Sequence, residues 1–215
     1  MSPTTFKLVI LDRDGTVNED RDDYVKSPDE WVPLPGALEA ISRLNHAGWH
    51  TVLATNQSGL GRGLFDMASL NEIQLKMNHA LAAQGGRIDA VFFCPHVPDD
   101  HCDCRKPKPG LMQQIAERFG VSPGNTPMVG DTLRDMQAGL AAGCPTHLVL
   151  TGKSAGLTGQ ALAELLAAVP GTRVHADLSA FADWWIRQHR SQHRSQQHGP
   201  RGDGDDTDSG AGELL

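Results

Sequence analysis

Five short apolar runs, each closing on or beside a polar group, punctuate the chain: "LVILD" (8–12), "HTVLATN" (50–56), "DAVFFC" (89–94), "TPMVGD" (126–131) and "THLVLT" (146–151). They are rich in β-branched and aromatic side chains and almost unbroken in apolar character. Runs of this kind read as strands covered on both faces. The intervening segments 36–47, 67–84, 109–119 and 132–143 have helical spacing instead. Strands alternating with helices imply a parallel sheet with helices on both sides, a doubly wound, Rossmann-like α/β fold. A helix over 157–169, a strand near 172–176 and a helix near 178–190 are expected to complete one domain over 1–190. No internal repeat is visible.

From Ser191 the chain becomes polar and glycine-rich, so 191–215 reads as a disordered polar and acidic tail. Residues 199–215 hold five acids and one base; they carry −4 of the formal −7 and leave −3 for the rest. A body that mildly acidic offers no basic face for nucleic acid. No apolar run is long enough to span a membrane. The N-terminal segment lacks a charged-then-apolar signal layout, so a cytoplasmic protein is expected.

In open parallel sheets, ligands bind beyond the carboxyl ends of the strands. That rule gathers Asp12, Thr55 with Asn56, Cys94 and Asp131 around one crevice. Asp12 and Asp14 in "DRDGT" are two apart, and in extended backbone they share a side. Gly15 lets the chain turn next to them. Carboxylates brought together repel unless a cation or proton lies between them. Asp131 adds a third, and Asp135 follows one helical turn later. Such hard oxygen donors suit Mg²⁺, which keeps waters and recruits substrate phosphate. The plain alternative for Asp12 or Asp131 is a helix cap.

Three of the four cysteines crowd into "CPHVPDDHCDCRKPKPG" (94–110). Cys94 and His96 form a C-x-H pair, and Cys102 and Cys104 a C-x-C pair. Together they make a Cys₃His set suited to a closed, structural Zn²⁺. His101 competes with His96 as the fourth ligand; His96 is favoured because it pairs with Cys94 as Cys102 does with Cys104. A redox site would favour C-x-x-C, which is absent. Cys144 reads as an inert small residue at a helix end.

"LDRDGT", "LATNQSG", "RKPKPG" and "VGDTLRD" occur in this order, and the chain over roughly 8–152 resembles the haloacid-dehalogenase-like phosphatase superfamily. The resemblance implies that Asp12 is a nucleophile forming an aspartyl-phosphate, with Asp14 as general acid and base. It implies Mg²⁺ on Asp12, the Asp14 carbonyl and Asp131, and phosphoryl oxygens held by Thr55 and Lys106. The zinc loop resembles the branch of D,D-heptose 1,7-bisphosphate phosphatases, with the histidinol-phosphate phosphatases as its neighbours. That branch implies removal of the 7-phosphate from a small phosphorylated sugar, in making nucleotide-activated heptose for lipopolysaccharide. It also implies substrate contacts from Asp20, Arg21, Tyr24, Asn56, Gln57, Ser58 and Arg105. Relatives commonly carry a lysine after the fourth-segment aspartate, where this chain has Thr132. The spacing of the segments leaves no room for a separate cap domain, so short loops, "GLGRG" with Arg62 among them, are expected to set specificity in a monomer. A non-catalytic phosphate-binding module is the contrasting class.

Overall fold

A computed structural model describes residues 6–197, with side chains to 190. Six parallel strands form one sheet in the order β3-β2-β1-β4-β5-β6. They are β1 (Leu8–Leu11), β2 (His50–Asn56), β3 (Ala90–Cys94), β4 (Met128–Gly130), β5 (Thr146–Val149) and β6 (Arg173–His175). The helices are α1 (Ala37–His46), α2 (Ser58–Gly61), α3 (Met67–Ala83), α4 (Gly110–Phe119), α5 (Leu133–Ala142), α6 (Gly159–Ala168) and α7 (Leu178–Gln197). This is the expected doubly wound arrangement, and among the described residues no separate domain interrupts it.

Strand β1 shows why its apolar run is continuous. Val9 and Leu11 pack with α1, α3 and α7, while Leu8 and Ile10 pack with α4 and Met128. Alternate residues thus serve opposite layers, and both layers need apolar groups. Each buried aliphatic side chain contributes about 1.5–3 kcal/mol. α5 and α6 continue the α4 layer over Leu148 and Val174.

Element ends follow local chemistry. Asp66 caps α3 by accepting from the Ser69 amide at 2.9 Å. Gly120 and Gly143 end α4 and α5 in the left-handed conformation. Strand β4 is shorter than the run 126–131 because Pro127 has no N–H to place in the ladder; its carbonyl accepts from Ile10. Helix α7 runs past the boundary expected at 190, to Gln197. The polar segment expected from Ser191 therefore begins inside α7, and its residues 198–215 lie outside the described residues.

Two histidines are buried where β5 and β6 meet α7. His147 Nδ1 lies 3.0 Å from His175 Nε2, with Phe181, Trp184 and Trp185 around them. Burial, with the nearby His175, Arg173 and His189, lowers His147 from 6.5 to about 3. Burial and Arg173 lower His175 to about 4, against an opposing pull from Asp177. Both rings are neutral in the fold and take up protons only once it opens. Their contribution is therefore complete above 6.5 and is lost as the pH falls below it. Urea unfolding should show a loss on the order of a few kcal/mol by about pH 4.5. The double variant His147→Phe, His175→Leu should flatten that slope.

Candidate active site

Because the sheet is parallel, the C-terminal ends of its strands share one edge. β1 and β4 are neighbours, with Leu11 opposite Val129, so Asp12 and Asp131 leave the sheet side by side. Their carboxylates form a buried cluster with Asp135, ligand atoms within 4.8 Å of one another. Lys106 enters from the loop after β3. Its ammonium lies 2.8 Å from Asp12 Oδ1 and 2.6 Å from Asp135 Oδ1, and donates to the Ala54 carbonyl at 2.7 Å. Burial disfavours this ammonium, but Asp12 and Asp135 outweigh it and raise its pKa.

The cluster is short of positive charge. Three carboxylates face one ammonium, which leaves two negative charges, the amount a divalent cation neutralises. Burial and Asp135 raise Asp12 to about 7, and Lys106 opposes them. Burial, Asp12 and Asp135 raise Asp131 to about 8. Asp131 Oδ2 accepts from the Lys153 amide at 2.7 Å, whereas Oδ1 is buried without a partner. A buried orphan oxygen in an acidic cluster fits a hard cation. Asp135 differs, because both its oxygens are engaged. Oδ1 meets Lys106, and Oδ2 accepts from the Thr132 hydroxyl at 2.6 Å and amide at 3.0 Å. Thr132 thus caps α5 and locks the carboxylate that holds Lys106.

Asp14 points elsewhere. It accepts from Arg13 at 2.9–3.1 Å, from Asn18 at 2.9 Å and from Gln57 at 2.8 Å. Burial pushes its pKa up, but the Arg13 charge and these hydrogen bonds overcome it and hold the carboxyl below its usual range. Its carboxylate is therefore outside the acidic cluster.

Two of the expected substrate residues turn out to hold other parts of the site. The Asn56 amide is spent on the Lys106 peptide, donating to its carbonyl and accepting from its N–H, both at 3.1 Å. Gln57 Nε2 bridges Asp14 and the Thr55 hydroxyl, at 2.8 and 2.9 Å. The others stand at the rim. Tyr24 meets Ser58 at 3.5 Å, Asp20 pairs with Lys153 at 3.1 Å, and Arg21 pairs with Asp23 at 3.1 Å. Arg105 donates to the His96 carbonyl at 3.1 Å. A cavity of about 240 Å³ is lined by Asp12, Asp14, Thr55, Lys106 and all of the expected substrate residues. Arg62 is not among its lining residues.

Lys153, Asp22 and Arg134 also line it, without a role in the sequence reading, and so does Asp135, which the sequence places beside the other hard oxygen donors. The signal for Asp135 was its position one turn after Asp131. Arg13 is buried at 1% exposure, and an arginine between two acids gives no hint of that.

The zinc candidates converge as well. Cys94 Sγ lies 3.6 Å from Cys102 Sγ and 3.6 Å from His96 Nδ1, His96 Nδ1 lies 3.3 Å from Cys104 Sγ, and the two C-x-C sulfurs are 3.5 Å apart. Tetrahedral zinc with Zn–S of about 2.3 Å requires edges of about 3.8 Å between sulfurs, close to these separations. His101 is exposed, in left-handed backbone, and outside the set.

A strand-end aspartate beside a buried lysine and two further acids, on a 3-2-1-4-5-6 sheet, defines a hydrolase site of the haloacid-dehalogenase-like class. The HAD-hydrolase-like family matches residues 103–181. The chain is 55% identical over 184 residues to the D-glycero-beta-D-manno-heptose-1,7-bisphosphate 7-phosphatase of Bordetella bronchiseptica, covering 85% of this chain and 99% of that one. The Pseudomonas aeruginosa protein of that name is 47% identical over 175 residues, 81% of this chain and 95% of its own. The solved D,D-heptose 1,7-bisphosphate phosphatase of B. bronchiseptica, complexed with magnesium and phosphate, superposes with a TM-score of 0.78 at 55% identity, over 85% of this chain and 99% of that one. The one from Burkholderia thailandensis gives 0.63 at 54% identity, over 84% and 98%. The chain belongs to this heptose bisphosphate phosphatase family of phosphoric monoester hydrolases.

Gly15 and Gly152 close over the Asp131 carboxylate, where a Cβ on either would overlap it. Gly15 also has φ +82°, a conformation that disfavours side chains. Gly15→Ala should therefore displace Asp131 and lower kcat on the order of 100-fold, with a lower Tm. Steady-state kinetics and thermal melts check both.

Proposed function

We propose that this chain is a Mg²⁺-dependent phosphatase that removes the 7-phosphate of D-glycero-D-manno-heptose 1,7-bisphosphate and releases heptose 1-phosphate. The observation that carries this reading is the near full-length match to the B. bronchiseptica enzyme, 55% identical over 99% of its length. Its place would be the supply of nucleotide-activated heptose for lipopolysaccharide, in the cytoplasm. No described helix is long and apolar enough to cross a membrane.

Asp12 is the nucleophile: its carboxylate attacks phosphorus and forms an aspartyl-phosphate that water then opens. Splitting one displacement into two lowers each barrier. Lys106 is already charged and fixed against Asp12 and Asp135, so a short exchange of one of these bonds brings an N–H to the phosphoryl oxygens. The Thr55 hydroxyl, held by Gln57, is the second phosphoryl contact. Asp14 protonates the leaving sugar oxygen and then accepts the proton of the attacking water. It is held ionised here, the form the second step uses, so donating a proton in the first step requires exchange of its bonds to Arg13. Mg²⁺ would be held by Asp12, Asp131 and the Asp14 carbonyl, and would reduce repulsion between the nucleophile and the phosphate dianion.

Cys94, His96, Cys102 and Cys104 would hold a structural Zn²⁺ with no open position. Arg105 and Lys106 follow directly after Cys104, so the metal would keep Lys106 in register with Asp12.

Asp12→Asn should keep the fold and lose turnover roughly 10⁴-fold or more; full activity would remove the nucleophile assignment. Purified protein should turn over heptose 1,7-bisphosphate faster than histidinol phosphate, and the reverse order would overturn the substrate.

Metal analysis should find one tightly held zinc, and Cys102→Ser should release it, with a lower Tm and kcat. Wild-type stability and turnover in that variant would count against the zinc site.

A further inference from the structure

Most cations around the active cavity are already neutralised. Lys106 is shared by Asp12 and Asp135, and Arg13 is held by Asp14. At one rim, Lys153 meets Asp20 and Asp22, and Arg21 meets Asp23. Two guanidinium groups depart from this pattern. Arg105 donates only to a neutral acceptor, the His96 carbonyl. Arg134 is exposed in the first turn of α5 and has no ion-pair or hydrogen-bond partner among the described residues.

Both line the active cavity, and both also line a second cavity of about 310 Å³ beside the zinc-binding loop. Lys106 lies on the same shared wall. Lys108, also on the second cavity, is paired with Asp103. Local helix stability does not explain Arg134, since a cation in a first turn opposes the helix dipole.

The family resemblance already implies a substrate contact from Arg105; we propose that Arg134, on the same shared wall, is a further anion contact that holds, with Arg105, the phosphate of the substrate that does not react. The inference rests on the bisphosphate reading above. A substrate with two phosphates brings a second dianion to the cavity. The reacting phosphate takes Lys106 and Thr55. The rim that carries Asp20, Asp22 and Asp23 repels another dianion. The wall of Arg105 and Arg134 is the side that attracts one. Guanidinium groups also suit the job geometrically, because their planar fork matches two phosphate oxygens at once. Arg134 is thus a specificity-determining residue that selects bisphosphates over monophosphates.

The test compares kcat/KM for heptose 1,7-bisphosphate and heptose 7-phosphate in wild type, Arg134→Gln and Arg134→Lys. The pair fructose 1,6-bisphosphate and fructose 6-phosphate is measured alongside. The expected result is a bisphosphate-to-monophosphate ratio that falls at least ~10-fold in Arg134→Gln, as for loss of a charge-assisted hydrogen bond. The loss should reside in KM, recover partly in Arg134→Lys, and shrink as salt is added. A ratio unchanged in both substrate pairs, or bisphosphate and monophosphate falling together, overturns the proposal. Failure of the function reading looks different: the wild type itself would prefer histidinol phosphate, and the fructose pair would still report on Arg134.

Discussion

The Lys106 ammonium is buried with three acceptors around it: Asp12, Asp135 and the Ala54 carbonyl. Three donors meet three acceptors, so the group is fully satisfied in a place where an unpaired charge would be very costly. Removing one partner of such a buried pair typically costs about 3–5 kcal/mol. The ion pairs therefore link parts of the chain that are remote in sequence. Asp12 belongs to β1, Ala54 to β2, Asp135 to α5, and Lys106 to the loop after β3. Each must arrive correctly for the others to be satisfied.

That requirement explains the supporting contacts. Asn56 clamps the Lys106 peptide from the end of β2, and Thr132 fixes Asp135 from the cap of α5. Gly15 and Gly152 allow two backbone segments to close on Asp131, with the Thr151 hydroxyl donating to the Gly15 carbonyl at 2.6 Å. Cys94, His96, Cys102 and Cys104 converge in the loop that delivers Lys106. These side chains spend their hydrogen bonds on one another, so the reacting groups are placed before substrate arrives, which is what phosphoryl transfer demands.

Much of this was legible in the sequence, for a physical reason. Strands covered on both faces must be apolar throughout, so Leu8–Leu11 and His50–Asn56 stand out, and a parallel sheet puts their ends together. Asp12, Thr55 and Asp131 follow from that rule, and the motifs add Lys106. What was not legible depends on where side chains turn after the backbone is set. Asn56 and Gln57 line the cavity as the motif suggests, but that their amides also meet Lys106 and Asp14 is not readable from the motif. Arg13 looks like a surface residue between acids and is buried. The helical continuation of α7 to Gln197 runs through residues whose polarity alone argues for a tail.

The division between floor and rim has a consequence for how such a site can vary. The floor is built from strand ends, where each carboxylate is tied to the ammonium or to backbone, so a change there disturbs the whole set. The rim is built from residues 20–24, Arg105, Arg134 and Lys153, on loops and a first helical turn. Among them Arg134 has no ion-pair or hydrogen-bond partner among the described residues, so it can change without loss to the floor. With no separate domain covering the site among the described residues, discrimination between substrates falls to these rim groups. On the function proposed above, the reaction class is held by the buried charges and the substrate choice by the rim, which lets one fold keep its chemistry while its rim is altered.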